Sequence, residues 1–271
     1  MTDRYGVIGH PIGHSKSPVI HRLFAAQTGE DMTYDAFDVP PEALDARLRA
    51  FVREGIRGLN VTVPHKETMA RLVDQLTDRA HLAGAVNTVI IAADGRLDGD
   101  NTDGVGLLTD LGANLGVRLK DARILILGAG GATRGIIPAL LGAGPRELCI
   151  ANRTLERARD VASHFERLGA IAARRFDELA GATYDLVINA TAAGLRGEVA
   201  PVPESVVRPE TVCYDLSYAM TDTPFIGWTR RLGAMQSHQG WGMLVEQAAE
   251  AFFIWRGVRP DTAPVRAKLP R

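Results

Sequence analysis

Cysteine is nearly missing from the 271-residue chain, which holds only Cys149 and Cys213. Both lie inside apolar, strand-like runs, so buried reduced thiols are expected and a disulfide framework is not. An excess of one charge is missing too. Thirty-one basic residues face 32 acidic ones, for a formal net charge of -1. No positive surplus exists to neutralise a phosphate backbone, so nucleic acid is not an expected partner. No apolar run reaches the ~18 residues of a membrane span, and the first residues lack the basic and apolar regions of a secretory signal. Cytoplasmic location is the expectation. The 7 histidines never cluster with cysteines or carboxylates at metal-ligand spacing, so no metal site is expected. Internal repeats, low-complexity tracts and long linkers are also absent.

What remains is an ordinary soluble composition, 46% hydrophobic and 23% charged, long enough for two domains. The first hundred residues alternate strand-like and helical patterns. Arg4–Gly9, Thr33–Val39 and Gly58–Val63 read as strands, Pro18–Thr28 and Pro41–Arg53 as helices, and another helix starts close to Pro64. This alternation predicts a mostly parallel sheet covered by helices. Within Ala85–Asp100, two β-rich runs flank Asp94-Gly95, a hairpin signal.

A second unit begins with a helical stretch over Asp103–Leu115 and the apolar strand Ala122–Leu127. The strands Glu147–Ala151, Tyr184–Asn189 and Thr211–Asp215 follow, with a helix from Thr154 and a long apolar helix over Met243–Trp255. That is the rhythm of a doubly wound nucleotide-binding domain.

The turn Gly128-Ala129-Gly130-Gly131-Ala132-Thr133 follows the buried strand and opens a helix. Its glycines suit close approach of backbone N–H groups to a pyrophosphate at the helix N-terminus. Thr133 stands where the motif has Gly or Ala. About twenty residues on, an NAD site places Asp or Glu on the ribose 2′-hydroxyl. Here Asn152-Arg153-Thr154 occupies that place. A carboxylate would repel a 2′-phosphate, whereas an arginine pairs with one, so NADP is the expected cofactor.

Three polar clusters lie outside that motif. Ser15-Lys16-Ser17 precedes a helix, where its hydroxyls can cap the N-terminus or cradle a carboxylate. Asn60 and Thr62 fall on one side of an apolar strand, and Lys66 lies in the next helical turn. A lysine at a helix N-terminus is electrostatically disfavoured, so it is either solvated or held for a purpose. Asp100-Asn101-Thr102-Asp103-Gly104 stands at the junction of the two units, where acidic residues can simply cap a helix. Together the clusters supply hydroxyls, an ammonium and a carboxylate beside a cofactor domain, which is what oxidising a secondary alcohol requires.

These segments resemble the shikimate dehydrogenase family. The resemblance is carried by His14-Ser-Lys-Ser-Pro18, Asn60-Val-Thr-Val-Pro64 with Lys66, and Ala83-Gly-Ala-Val-Asn-Thr88. It continues through Gly99-Asp-Asn-Thr-Asp-Gly-Val-Gly106, Gly128–Ala132, Asn152-Arg-Thr154, Ile188-Asn-Ala-Thr191 and Gly242-Met-Leu-Val-Glu-Gln-Ala248. It implies an α/β fold with an N-terminal α/β substrate domain, residues 1–103 plus 243–271. A Rossmann-like NADP-binding domain, residues 104–242, would follow, with the C-terminal helix returning to the first domain. The implied reaction is the reversible reduction of 3-dehydroshikimate to shikimate with NADPH, on the route to chorismate and the aromatic amino acids.

By the same resemblance Lys66 and Asp103 are the catalytic pair. Ser15 and Ser17 bind the substrate carboxylate, Thr62, Asn87 and Gln247 its hydroxyls, and Tyr218 contacts it from the cofactor side. NADP is held by Gly128, Ala129, Gly130, Gly131 and Ala132, and by Asn152, Arg153, Thr154, Leu155, Glu156 and Arg157. Asp78, Thr191, Leu216 and Gly240 add cofactor contacts. Trp241 departs from the smaller aliphatic residue common before Gly-Met, and Asp215-Leu216-Ser217-Tyr218 matches only in part. A quinate/shikimate dehydrogenase of broader specificity is the nearest alternative, although an acidic residue would be expected in its cofactor loop. A methylenetetrahydrofolate dehydrogenase lacks the serine pair, and a non-catalytic NADPH-binding regulator would be expected to have lost Lys66 or Asp103. A monomer or a homodimer fits equally.

Overall fold

The computed structural model describes residues 2–269, with Leu195 described by its backbone alone. Met1 and residues 270–271, which belong to the expected substrate domain, lie outside the described residues. The chain forms two compact units. One comprises the residues up to Leu107 together with Leu244–Leu269, and the other comprises Leu108–Met243.

The first unit contains β1 (Asp3–Gly9), α1 (Ser17–Thr28), β2 (Met32–Asp38), α2 (Leu44–Arg53), β3 (Ile56–Val61) and α3 (Lys66–Leu72). It continues with β4 (Gln75–Leu76), α4 (Asp78–Ala83), β5 (Thr88–Ile91), β6 (Leu97–Asp100) and the start of α5 (Asp103–Thr109). The six strands run in the order β2-β1-β3-β5-β6-β4. The sheet is mixed: β1 is parallel to β2 and β3, but β5 is antiparallel to both β3 and β6. The turn between β5 and β6 is the Asp94-Gly95 hairpin, in which Gly95 takes φ 89°.

Two expected elements of this unit shift by more than one residue. The strand expected over Gly58–Val63 runs from Ile56 to Val61, and Pro64 beyond it has no N–H with which to prolong the ladder. The expected Pro41–Arg53 helix opens as a 3₁₀ turn over Pro41–Ala43 before α2.

Alternation along the strands divides the core. Ile8, Leu59 and Val89 pack with Leu44, Leu48 and Phe51 of α2 and Met69 of α3, while Tyr5, Val7 and Tyr34 form a separate cluster. Ile20 and Phe24 of α1 pack on Val245, Ala248 and Phe252 of the C-terminal helix.

The second unit runs β7 (Arg123–Leu127), α6 (Gly131–Gly142), β8 (Glu147–Ala151), α7 (Leu155–His164), β9 (Ile171–Arg174), β10 (Leu186–Asn189), β11 (Val212–Asp215), α8 (Pro224–Arg231) and β12 (Gln236–Gln239). Its strands are all parallel, in the order β12-β11-β10-β7-β8-β9. The order reverses between β7 and β10, which opens a crevice at the carboxyl ends of these strands. Leu125, Cys149, Val187 and Cys213 pack with Phe225 and Ile226 of α8. Their neighbours Ile124, Ile126, Ile150 and Ile188 are fully buried as well. Burial on both faces is why these strands read as continuous apolar runs. Both cysteines are buried and free.

The helix expected over Asp103–Leu115 is α-helical only to Thr109 and continues as a π-helical turn over Asp110–Asn114. There the buried Asp110 carboxylate accepts hydrogen bonds from Tyr214 (2.6 Å) and Asn114 (2.9 Å). The last long helix, α9, spans Trp241–Arg256, two residues earlier than expected, and α10 (Ala263–Arg266) follows. No helix among the described residues is long and apolar enough to cross a membrane.

Candidate functional site

Lys66 is the first residue of α3 and Asp103 the first of α5. Lys66 Nζ donates to Asp103 Oδ2 at 2.5 Å, and their side chains are only 13% and 4% exposed. The lysine is therefore held by a counter-charge, and the solvated alternative does not apply. Nor is Asp103 a plain helix cap, because its carboxylate accepts from Lys66 and, through Oδ1, from Asn87 Nδ2 at 2.9 Å. Asp100 in the same cluster has a different role. Arg79 grips both its oxygens, at 2.6 and 2.7 Å, and Thr77 adds a third bond. Burial raises the Asp100 carboxyl, but the Arg79 and Thr77 bonds outweigh it and hold the group below the ordinary range.

Asn87 connects the pair to the C-terminal helix. Its Oδ1 accepts the backbone N–H of Thr102 at 2.8 Å. Its Nδ2 has three acceptors within reach: Asp103 Oδ1 at 2.9 Å, Thr102 Oγ1 at 2.9 Å and Gln247 Oε1 at 3.3 Å. Gln247 donates its own amide to Leu244 O at 2.9 Å. Lys66, Asp103, Asn87 and Gln247 thus form one buried group, assembled from α3, α5, α9 and the residue before β5.

Ser15, Ser17 and Thr62, also expected on the substrate side, lie in the same unit but make no hydrogen bond to that group among the described residues, whereas Tyr218 belongs to the second unit. Lys16, and neither serine, occupies the N-cap position of α1, so the capping role expected for the serines is corrected. Ser15 Oγ instead accepts the N–H of Ser17 at 3.3 Å. Ser17 is buried, and its hydroxyl has no partner among the described residues. Thr62 follows the end of β3 and packs against Gly9, where an added Cβ would come within 2.5 Å of its methyl. Asp78 is exposed at the first position of α4, whose N-cap is Thr77.

In the second unit the glycine turn joins β7 to α6. Gly128 takes φ 106°, and a Cβ there would lie 2.9 Å from Ala190 O, so only glycine fits. Gly130 is the N-cap of α6 and has nothing within 4 Å of a would-be Cβ. The helix carries no side-chain cap and no acid in its first turn. Its N–H groups are therefore left for an anion, and the turn fits a pyrophosphate. Thr133 does not weaken the motif: fully buried, it donates to Gly128 O at 2.9 Å and closes the turn on itself.

At the end of β8, Asn152 Nδ2 donates to Thr154 O at 2.9 Å. Thr154 is the N-cap of α7, so the helix starts at Leu155, with Glu156 and Arg157 exposed in its first turn. Arg153 is exposed, and neither Arg153 nor Arg157 forms an ion pair among the described residues. An open cationic rim beside the glycine turn fits a 2′-phosphate.

Sequence reasoning named Thr191 but missed that it belongs to a polar row joining the ends of β10 and β11. Thr191 donates to Asn189 Oδ1 (2.7 Å), and Asn189 donates to Asp215 Oδ1 (3.0 Å). Asp215 also accepts from Ser217 N (3.0 Å) and Thr223 Oγ1 (2.5 Å). All its donors are neutral, and burial raises its carboxyl above the ordinary range. Leu216 and Tyr218 therefore leave β11 through a fixed turn. Gly240 packs on that turn, since a Cβ would come within 2.6 Å of Leu216 O. Tyr218 lies 4.5 Å, ring to ring, from Trp241. The Ile188-Asn-Ala-Thr191 segment and a carboxylate ending an apolar strand were the sequence signs of this row. No group of three or more metal-ligating side chains occurs among the described residues.

Comparison with known proteins agrees with these features. Residues 7–89 match the model of the shikimate dehydrogenase substrate binding domain, 110–197 that of shikimate / quinate 5-dehydrogenase, and 240–269 that of the shikimate 5'-dehydrogenase C-terminal domain. The chain is 55% identical to a shikimate dehydrogenase (NADP(+)) of Methylococcus capsulatus, over 97% of this chain and 94% of that one. It is 53% identical to the same-named protein of Alkalilimnicola ehrlichii, over 99% of both. Among solved structures, the shikimate 5-dehydrogenase of Thermus thermophilus in complex with NADP(H) and shikimate superposes with a TM-score of 0.85 at 37% identity, covering 98% of both chains. The chain belongs to the shikimate dehydrogenase family.

Proposed function

We propose that the chain catalyses the reversible NADPH-dependent reduction of 3-dehydroshikimate to shikimate, with Lys66 and Asp103 managing the proton. The carrying observation is the buried Lys66–Asp103 pair, joined through Asn87 to Gln247. The first unit is read as the substrate domain and the second as the NADP domain. NADP, when bound, supplies or accepts the hydride.

Reduction of the ketone leaves negative charge on its oxygen. The Lys66 ammonium stabilises that charge and donates a proton to it, and in the reverse direction the amine withdraws the proton. Asp103 aims the ammonium through Oδ2 and accepts a substrate hydroxyl. Asn87 has two N–H groups for three acceptors, and Gln247 Oε1 is the most distant at 3.3 Å. Thr102 Oγ1 also donates to that oxygen at 3.4 Å, and the oxygen's second lone pair serves a further substrate hydroxyl. Ser15 and Ser17 supply hydroxyls for the carboxylate, and Thr62 and Tyr218 complete the substrate contacts. Gly128–Ala132 hold the pyrophosphate, Asn152–Arg157 the 2′-phosphate, and Asp78, Thr191, Leu216 and Gly240 the remainder of the cofactor. Two reduced thiols fit a cytoplasmic enzyme, as monomer or homodimer.

Absorbance assays pairing shikimate or quinate with NADP or NAD test this reading. Shikimate with NADP should turn over fastest. Turnover with none of the four pairs overturns the assignment.

A further inference from the structure

A row of buried side chains leads to Asp103 through the first unit. Tyr34 OH lies 2.6 Å from Asn60 Oδ1, and Asn60 Nδ2 lies 3.3 Å from Thr88 Oγ1. Thr88 Oγ1 lies 2.9 Å from Asn87 Oδ1, and Asn87 Nδ2 lies 2.9 Å from Asp103 Oδ1. Tyr34, Asn60, Asn87 and Thr88 are 3%, 5%, 2% and 0% exposed.

The direction of each bond follows from one fixed point. The backbone N–H of Thr102 can only donate, and it donates to Asn87 Oδ1 at 2.8 Å. The Asn87 amide is therefore set, with its N–H groups toward Asp103. Thr88 faces an acceptor and gives its single proton to Asn87 Oδ1. Its lone pairs then receive Asn60 Nδ2, which leaves Asn60 Oδ1 to receive the Tyr34 hydroxyl. Every donor points toward Asp103, and the row ends on the carboxylate oxygen opposite the one that meets Lys66.

Stability alone does not call for such a row. Asn60 and Thr88 face each other across β3 and β5. Replacing both members of a buried hydrogen-bonded pair by apolar groups of like shape is close to neutral. Aligned hydrogen bonds in a low-dielectric interior, however, polarise one another and fix orientation.

We propose that Thr88, backed by Asn60 and Tyr34, is a positioning residue that sets the Asn87 amide and, through it, the angle at which Asp103 presents its second oxygen to Lys66. The proposal rests on the reading of Lys66 and Asp103 as the proton-handling pair. Thr88 touches neither of them and acts only through Asn87.

The test uses the full-length enzyme and the near-isosteric pair Thr88→Val and Thr88→Ser. Thr88→Val should lower kcat for shikimate oxidation about tenfold while KM for shikimate and NADP stays within about twofold, because orientation and not binding is lost. Thr88→Ser keeps the hydroxyl and should recover kcat to within about twofold of wild type. Tyr34→Phe removes only the far end of the row and should lower kcat about twofold to threefold, and it stands in if Thr88→Val does not fold. A Thr88→Val enzyme with wild-type kcat, or a Thr88→Ser enzyme as slow as Thr88→Val, overturns the proposal.

A second readout needs no turnover. The side-chain NH₂ resonances of Asn87, assigned by their loss in Asn87→Asp, should shift in ligand-free Thr88→Val and stay in place in Thr88→Ser. Unchanged resonances in Thr88→Val overturn the row even if the wild type oxidises shikimate. Failure of the wild type to oxidise shikimate removes the proposed activity and leaves this readout to decide the row.

Discussion

Around Asp103 polar side chains end on other polar side chains, whereas around Gly128 the polar groups are backbone N–H groups and exposed arginines. Lys66, Asp103, Asn87 and Thr102 satisfy one another inside the first unit, with little water in reach. The turn at Gly128 is shaped by a backbone angle and one threonine bond, and Arg153 beside it has no ion pair among the described residues. The difference follows from what each region must recognise. A proton has to be delivered to one atom, so the groups that deliver it are fixed before the ligand arrives. A phosphate offers several equivalent oxygens and a large charge, so a helix N-terminus and a free guanidinium suffice.

The sharpest way to break that comparison is to remove the ammonium. Lys66→Ala should lower kcat about a thousandfold, within the range of general acid–base catalysis. KM for shikimate should change no more than about threefold, since the substrate keeps its other contacts. Steady-state kinetics of shikimate oxidation decides the matter. A variant with near-normal kcat would remove Lys66 from the chemistry and reduce the Asp103 cluster to a structural ion pair.

The cofactor side should respond in specificity and not in rate. Arg153→Asp replaces a phosphate partner by a repelling carboxylate. The ratio of kcat/KM for NADP over NAD should fall about a hundredfold, the size of a lost charge-assisted bond. KM for shikimate at saturating cofactor should hold. Unchanged discrimination would mean that the 2′-phosphate is read elsewhere and that the exposed rim at the end of β8 is ordinary surface.

The two regions were also unequally legible in the sequence. Strands β7, β8 and β10 announced themselves because both of their faces are buried. β12, Gln236-Ser-His-Gln239, was invisible because it is a polar edge strand, only partly covered. The glycine turn was readable because backbone geometry demands glycine at Gly128, while the part played by Thr133 depends on a contact to Gly128 O that spacing cannot reveal. In the first unit Lys66 and Asp103 were visible as residue types, but each had a plain alternative. Only the pairing across 37 residues of chain decides between them. Thr88 was visible only as the last residue of Ala83-Gly-Ala-Val-Asn-Thr88, with no role attached, and Tyr34 gave no sign, because both are ordinary core residues until their hydroxyls are seen to face Asn87 and Asn60.

His21 marks the limit of mutual satisfaction in the first unit. Its ring stacks on Tyr34 at 4.1 Å and 5°, and neither ring nitrogen has a hydrogen-bond partner among the described residues. Burial, opposed by Asn60, pushes the imidazole down from 6.5 to about 3. The sign of the linkage follows: a depressed folded value means that stability is complete above about 6.5 and falls as pH drops toward 3. Each pH unit below 6.5 is worth about 1.4 kcal/mol, or on the order of 2 kcal/mol at pH 5. His21→Phe keeps a flat ring against Tyr34 and removes the titration. Its urea midpoint should exceed that of wild type by more at pH 5 than at pH 8. Parallel pH dependence of the two proteins would show that His21 is protonated in the folded state through a partner. The first unit would then contain no unsatisfied polar side chain at this position, and its contrast with the open turn at Gly128 would be sharper still.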